Sequence, residues 1–290
     1  MSKPVPGVVV VGSLHYDIMV AARHRPAAGE TVQGSRWYPK FGGKGGNQAV
    51  AVAKAGVPVR MLGAVGDDAF GSFLRENLRQ GGVDDAHVAT LTGRASGMSV
   101  AISDATGDYG AVIVSGTNLE IDLARLEEND LWADVAMLVL QNEVTEDMNL
   151  AAAQAAQGRG VQVCLNAAPY RPLSPALAAA IDVLVVNALE AEALSGVAVG
   201  DLRGAGHAAH KLSQTFPMAV VTAGGDGVAV AEQDGQSFTL PAEKVTLVST
   251  HGAGDVFTGA LAAALVSGVS LAEAARTANW TAAQHVAGLG

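Results

Sequence analysis

Val135-Ala-Met-Leu-Val-Leu140 is followed by a segment of helical composition from Glu146 to Gln157 and then by Val161-Gln-Val-Cys-Leu165. An unbroken apolar run, an Ala-rich segment and a second apolar run read as strand, helix and strand. The same rhythm recurs on both sides. Val8 to Val11 is a β-branched run ending at Gly12, which predicts a buried opening strand. Gln48 to Ala55 has helical composition and stops at Gly56-Val57-Pro58. Val59 to Val65 reads as a strand closed by Gly66-Asp67-Asp68, and Ala69 to Gln80 as an amphipathic helix. Further on, Val183 to Val186 precedes a helix from Leu189 to Leu194. Met218 to Thr222 precedes a Gly224-Gly225-Asp226-Gly227 turn, and a last strong helix starts at Gly254-Asp255 and runs through Val266. Alternation of this kind predicts a mostly parallel sheet with helices on both faces. Two stretches break it, at about 13–42 and 94–117. In the second, Ser99 to Ile102 and Ala111 to Val114 flank a turn at residues 104–108, which reads as a hairpin. Together they predict a small β appendage on one domain spanning residues 1–290.

Composition narrows the function classes. The 290 residues are 49% hydrophobic and 16% charged, with a net charge of −10. A chain of this length can bury roughly three quarters of its unfolded surface, so a large core is expected. The acidic balance disfavours binding to nucleic acid, which needs a basic footprint. It is compatible with a small anionic ligand held by backbone amides and a metal. Cys164 is the only cysteine, which excludes an intrachain disulfide and a cysteine zinc cluster. There is no secretory signal and no apolar run of the ~20 residues that span a bilayer. The expectation is a cytoplasmic protein without membrane partners.

Three segments carry chemistry. Gly42-Gly43-Lys44-Gly45-Gly46-Asn47-Gln48-Ala49 opens a helix, where glycines permit close approach to a ligand and N-terminal amides favour anions; a plain glycine turn is the alternative. It is not a Walker A loop, because Gly45 follows Lys44 where that motif needs Ser or Thr. Ser249-Thr250-His251-Gly252-Ala253-Gly254-Asp255 leads a loop into a helix, so its amides and the helix dipole converge on one spot. A phosphoryl group in transit is the kind of anion that such a site stabilises, although Asp255 could simply cap its helix. Asn187-Ala188-Leu189-Glu190 places an amide and a carboxylate on one helical face. The pair suits a hydrated Mg²⁺, although in isolation a capping box is the favoured reading.

In combination, and with Gly12-Ser13 before Asp17, Pro26 to Thr31, Gly66-Asp67-Asp68 and Thr222 to Gly227, these segments resemble the ribokinase-like (PfkB) family of sugar and nucleoside kinases over nearly the whole chain. The resemblance implies a three-layer α/β/α fold with a mostly parallel central sheet and a small β lid, and the use of ATP and Mg²⁺. It implies Asp255 as the base that takes the proton from the attacking hydroxyl, with Gly252, Ala253 and Gly254 as the anion hole. By the same resemblance Asn187 and Glu190 organise the metal. Asn187, Thr222, Gly224, Gly227 and Asn279 meet the nucleotide, while Asp17, Gly43, Lys44, Asn47 and Glu143 hold the sugar, and Met98 with Val100 presents apolar side chains to it. Pairing of exposed lid strands between subunits implies a homodimer.

Three departures from the family pattern matter. His15 stands where ribokinases usually carry Asn, which places a bulkier group in the sugar pocket. Ser249 stands where many carry an Asp that ligates an activating monovalent cation, so a cation requirement is left open. The chain ends at Gly290, before a C-terminal segment that contributes to the same cation loop. The leading expectation is ATP-dependent phosphorylation of a primary hydroxyl of a small sugar, best D-ribose to ribose 5-phosphate. The alternatives are a nucleoside kinase (adenosine-like), a ketohexose kinase, or a catalytically silent sugar-binding sensor.

Overall fold

The computed structural model describes residues 5–104 and 109–289; positions 105–108 of the expected hairpin turn, the first four residues and Gly290 lie outside them. In chain order the elements are β1 (Gly7–Val11), β2 (His15–Ala22), β3 (Gly34–Gly42), α1 (Lys44–Lys54), β4 (Val59–Gly66), α2 (Ala69–Gln80), β5 (Val88–Leu91), β6 (Met98–Ser103) and β7 (Tyr109–Val114). They continue with β8 (Val135–Gln141), α3 (Glu146–Gln157), β9 (Gln162–Asn166), α4 (Pro175–Ala178), β10 (Val183–Asn187), α5 (Ala188–Ser195) and α6 (Leu202–Leu212). The last are β11 (Met218–Thr222), β12 (Gly227–Glu232), β13 (Ser237–Pro241), α7 (Ala253–Val266) and α8 (Leu271–Val286).

Nine strands form the main sheet in the order β13-β12-β11-β10-β9-β8-β1-β4-β5. It is parallel from β5 to β11 and ends in the antiparallel pair β12 and β13. Val8 to Val11 shows why the run is apolar without alternation: Val9 and Val11 enter the core on one face, Val8 and Val10 the core on the other, and all four are fully buried. A strand covered on both faces needs apolar side chains at every position. One face is sealed by α3 to α6 and the other by α1, α2, α7 and α8. No helix among the described residues is long and apolar enough to cross a membrane.

The second sheet has four strands in the order β3-β2-β6-β7. The β6–β7 hairpin is antiparallel, with Met98 opposite Val114. β2 and β3 pair antiparallel as well, and the two hairpins join through β2 and β6, which run parallel with Asp17 beside Ser99. Parallel neighbours need a crossover, and here the crossover passes through α1, β4, α2 and β5. Other elements went unread. α1 begins at Lys44 rather than Gln48, inside the glycine segment. α6 contains two glycines yet is fixed by Asp201, which accepts from Gly204 N at 2.7 Å, and by buried Ala205, Ala208, Ala209 and Leu212. α8, one helix beyond the last one expected, opens with a capping box in which Ser270 and Glu273 exchange hydrogen bonds with each other's backbone N–H.

Candidate active site

In a parallel sheet the carboxyl ends of the strands share one edge, where ligands bind. Here that edge collects Ser13 after β1, Gln141 and Glu143 at and after β8, Asn166 of β9, Asn187 of β10 and Thr222 of β11. The site is assembled on it from two helix N-termini, those of α1 and α7.

The N-terminus of α1 is already occupied by an anion of the protein's own. Glu143 Oε2 accepts from Lys44 N at 2.9 Å and from Ser13 Oγ at 2.5 Å, and lies 3.6 Å from His15 Nδ1. Gly46 N donates to the Ser13 carbonyl at 2.9 Å. The amides that the sequence offered to a ligand anion are therefore satisfied internally, and the glycines serve a different approach. Gly43, at φ +88°, leaves room only for backbone: a Cβ there would lie 2.7 Å from His15 N and Ser13 O. What α1 presents to the cleft is side chains.

Those side chains meet Asp255. Gln48 Nε2 donates to Oδ1 at 3.0 Å, Asn47 Nδ2 to Oδ2 at 3.3 Å, and Lys44 Nζ lies 3.8 Å from Oδ1. Asp255 is buried, and burial pushes its carboxyl above the ordinary carboxylate range; Lys44 and the Gln48 hydrogen bond oppose that rise, while Glu143 adds to it. It is the third residue of α7, whose cap is Gly252 at φ +83°, and no side chain among the described residues caps that helix. Asp255 is thus not a cap. The α7 amides point from a glycine cap into an open cleft of about 610 Å³ walled by Lys44, Asn187, Thr222, His251, Gly254 and Asn279, among others. Gly252 and Ala253 also line it. The preceding loop is tied to α8: His285 Nε2 donates to His251 O at 2.9 Å, and Val248 N to Val286 O at 2.8 Å.

Asp17 sits next to this centre. It is buried, accepts from Ser99 Oγ at 2.5 Å, and faces Lys40 in the neighbouring strand. Burial lowers the Lys40 ammonium below its usual range, and Asp17 partly restores it. His251 lies in the field of Lys40, Lys44, Asp17 and Asp255 and is held below the usual imidazole range chiefly by burial. This imidazole therefore stands where the Asp17 and Asp255 regions meet.

The expected residues distribute as follows. Asp17, Lys44, Asn47, Glu143 and Asp255 come together, with His15 buried behind Glu143. Met98 lies in register with Tyr16, on the opposite face of β6 from Ser99 and Asp17, because side chains alternate along a strand. Ser99 and Ala101 share the face of Asp17, and Met98 and Val100 point to the other. Gly224 and Gly227 line the cleft wall, though a Cβ at Gly227 would strike the Leu240 carbonyl, so that glycine also serves the β12–β13 pairing. Asn279 lines the far end and donates to Pro241 O at 3.0 Å. Asn187 and Glu190 form the full capping box: Glu190 N donates to Asn187 Oδ1 at 2.9 Å and Asn187 N to Glu190 Oε2 at 2.8 Å. The Glu190 carboxyl, raised by burial, nonetheless walls a side cavity of about 60 Å³ with Lys44, Asn166, Asn187, Thr222 and Gly254. Sequence reasoning assigned nothing to Ser13, Gln48, Ser99, Asn166 or His251. Gln48 and His251 stood inside segments it had singled out, which was the available signal.

Comparison with known proteins agrees with this geometry. The chain is 32% identical over 281 residues to the ribokinase of Haemophilus influenzae, covering 96% of this chain and 92% of that one. It is 33% identical over 288 residues to the deoxyribokinase of Salmonella typhi, covering 98% and 93%. The structure of Arabidopsis thaliana ribokinase complexed with ribose and ATP superposes with a TM-score of 0.89 at 29% identity, over 97% of this chain and 93% of that one. The family model described as pfkB family carbohydrate kinase matches residues 5–290. With a buried carboxylate held beside the glycine-capped start of a helix, and a match that spans the fold from β1 to the end of α8, the chain belongs to the pfkB family of carbohydrate kinases.

Proposed function

We propose that this protein transfers the γ-phosphoryl group of ATP to the primary hydroxyl of a furanose sugar, converting D-ribose to ribose 5-phosphate. The observation that carries the reading is Asp255, a buried carboxylate held by Gln48, Asn47 and Lys44 at the first turn of α7. A sugar hydroxyl brought to its oxygen loses its proton there as the phosphoryl group arrives, and general-base help of this kind is worth roughly 10²–10⁴ in rate. The amides of Gly252 to Gly254 face the charge that spreads over the equatorial oxygens. Lys44, beside Asp255, neutralises charge on the nucleotide side. Asp17, Gly43, Asn47 and Glu143 hold the remaining hydroxyls, an arrangement to which Ser99 contributes by fixing the Asp17 carboxylate. Thr222, Gly224, Gly227 and Asn279 border the space for the nucleotide.

The Glu190 and Asn187 pair fits Mg²⁺, which prefers oxygen ligands and keeps several waters: Glu190, with its buried carboxyl, borders one small cavity together with Asn187, Asn166 and Lys44. When bound there, the ion neutralises phosphate charge. The same reading places the activity in the cytoplasm.

The test is ADP release with Mg-ATP on a panel of ribose, 2-deoxyribose, fructose, adenosine and other nucleosides, each with and without potassium. Turnover on ribose with nucleosides ignored is expected; turnover on a nucleoside alone overturns the reading. 2-Deoxyribose is the second candidate, favoured by the deoxyribokinase relative.

We further propose a homodimer built on the outer strands of the small sheet. There Trp37 is 65% exposed on β3, and Val112 and Ile113 are 68% and 54% exposed on β7, apolar side chains at open strand edges that pairing would cover. Light scattering at micromolar protein is expected to give about twice the 29.3 kDa chain mass, and Ile113→Glu to return it to one chain. A wild-type mass of one chain overturns the dimer.

A further inference from the structure

Gln48 is completely buried at the level of the catalytic edge, and both hydrogens of its amide are spoken for. One goes to Asp255 Oδ1 at 3.0 Å and the other to Asn166 Oδ1 at 3.1 Å. Asn166 is itself oriented by main chain, since its Nδ2 donates to Val185 O of β10 at 3.2 Å. The polarity of the whole chain follows from that carbonyl. Val185 O accepts only, so Asn166 must turn its nitrogen toward β10 and its oxygen toward Gln48. Gln48 must then present nitrogen, because its Oε1 in that place would face the oxygens of both Asn166 and Asp255. Gln48 Oε1 is left buried with no partner among the described residues. A buried amide oxygen without a partner is costly, so the orientation is being held for the sake of its nitrogen.

We infer that Gln48 is the positioning residue of the phosphoryl-transfer base, fixing Asp255 in one rotamer through an N–H whose direction is imposed from β10 by Asn166. The inference rests on the reading of Asp255 as that base. Lys44 lies one helical turn before Gln48 and reaches the same oxygen from 3.8 Å, so α1 delivers a charge and a directed hydrogen bond to Oδ1. The two differ in what they control: an ammonium on a flexible stem supplies field, whereas an amide locked at both ends supplies geometry. The hydrogen bond also favours the ionised carboxylate, the form able to accept a proton, against burial. The charged and titratable groups around Asp255 are Lys44 of α1, Glu143 after β8, Glu190 of α5 and His251 before α7, with Lys40 and Asp17 beyond His251.

The experiment compares Gln48→Met, which keeps the length and removes the N–H, with Gln48→Glu, which keeps the shape. It measures kcat against pH on ribose, the KM for ATP, and thermal unfolding. For Gln48→Met the expected result is a fall in kcat of roughly 10- to 100-fold, little change in the KM for ATP, and an acid limb about one pH unit higher, the direction that follows when a hydrogen bond to the carboxylate is lost. For Gln48→Glu the limb moves in the same direction, because a second carboxyl faces Oδ1. If either folded variant keeps its limb in place, whether or not kcat falls, Gln48 is only a packing residue and the inference is overturned. Asp255→Asn, assayed in parallel, separates the two readings: turnover retained there removes Asp255 as the base, independently of what Gln48 does.

Discussion

Asp255→Asn is expected to lose turnover by roughly 10²–10⁴-fold while still binding ADP, and to be more heat-stable than the parent protein at neutral pH. Both effects come from one feature, a carboxylate buried where only chemistry needs it. The activity loss follows because the amide cannot accept the hydroxyl proton, whereas the cleft walls that would meet the nucleotide are unchanged. The stability gain follows from linkage. Burial, opposed by Lys44 and the Gln48 hydrogen bond and reinforced by Glu143, leaves the folded carboxyl above its ordinary value. The folded chain therefore holds this proton more tightly than the unfolded chain does. Stability falls as pH rises from the ordinary carboxylate value through the raised one, and above both the fold carries a buried charge. Asparagine carries none. Its Oδ1 keeps the Gln48 hydrogen bond, and Asn47 can turn its amide oxygen to the new N–H. Thermal unfolding of the two apoproteins is expected to differ most at neutral pH and to converge below the ordinary carboxylate range. A variant that is inactive yet less stable at neutral pH would show that Asp255 is structural.

How much of this was readable from the chain depends on how far apart the cooperating residues lie. Val8 to Val11 and Val135 to Leu140 announce themselves because burial on both faces demands apolar side chains at every position. The glycine segment and Asp255 stood out because backbone approach restricts residue choice locally. α8 did not, although Ser270-Leu-Ala-Glu273 spells its capping box. Its buried face is Ala274, Ala275, Ala278 and Ala283, packed on an α7 whose own inner face includes Ala260 and Ala263. Alanine fills a close helix pair well but gives little hydrophobic periodicity to see. Asn187 and Glu190 were legible as a pair with two meanings, and the structure makes the cap while leaving the carboxylate on a cavity wall. Gln48 was visible only as a member of the glycine segment, and its role was not legible. Its two partners lie 118 and 207 residues away, and its role exists only once β9 and α7 are brought beside α1. The same holds for Glu143, which meets Ser13 and Lys44 across 130 and 99 residues.

Two glycines that the sequence presented alike are expected to fail in opposite ways. Gly43→Ala puts a Cβ within 2.8 Å of backbone atoms of Ser13, Leu14 and His15, at φ +88°. Strain in such a conformation costs about 1–3 kcal/mol, and overpacking against atoms that cannot rotate away costs about 1–3 kcal/mol more. A combined loss of about 2–5 kcal/mol is expected in denaturant unfolding, together with collapse of activity, because α1 carries Lys44, Asn47 and Gln48 as one rigid body. Gly254 lies inside α7, exposed, and a Cβ there would meet nothing within 4 Å among the described residues. Alanine in an exposed helix is better than glycine by up to about 1 kcal/mol, so the apoprotein should be as stable as the parent or slightly more so. The space that the new methyl takes is the wall shared by the main cleft and the Glu190 cavity, where the phosphoryl group must pass. Gly254→Ala is therefore expected to raise the KM for ATP and lower kcat, each by about tenfold or more, as a small misplacement of reacting groups does. A protein that loses stability at 254 and keeps it at 43 would reverse both assignments: Gly43 would then serve the ligand alone, and Gly254 the fold.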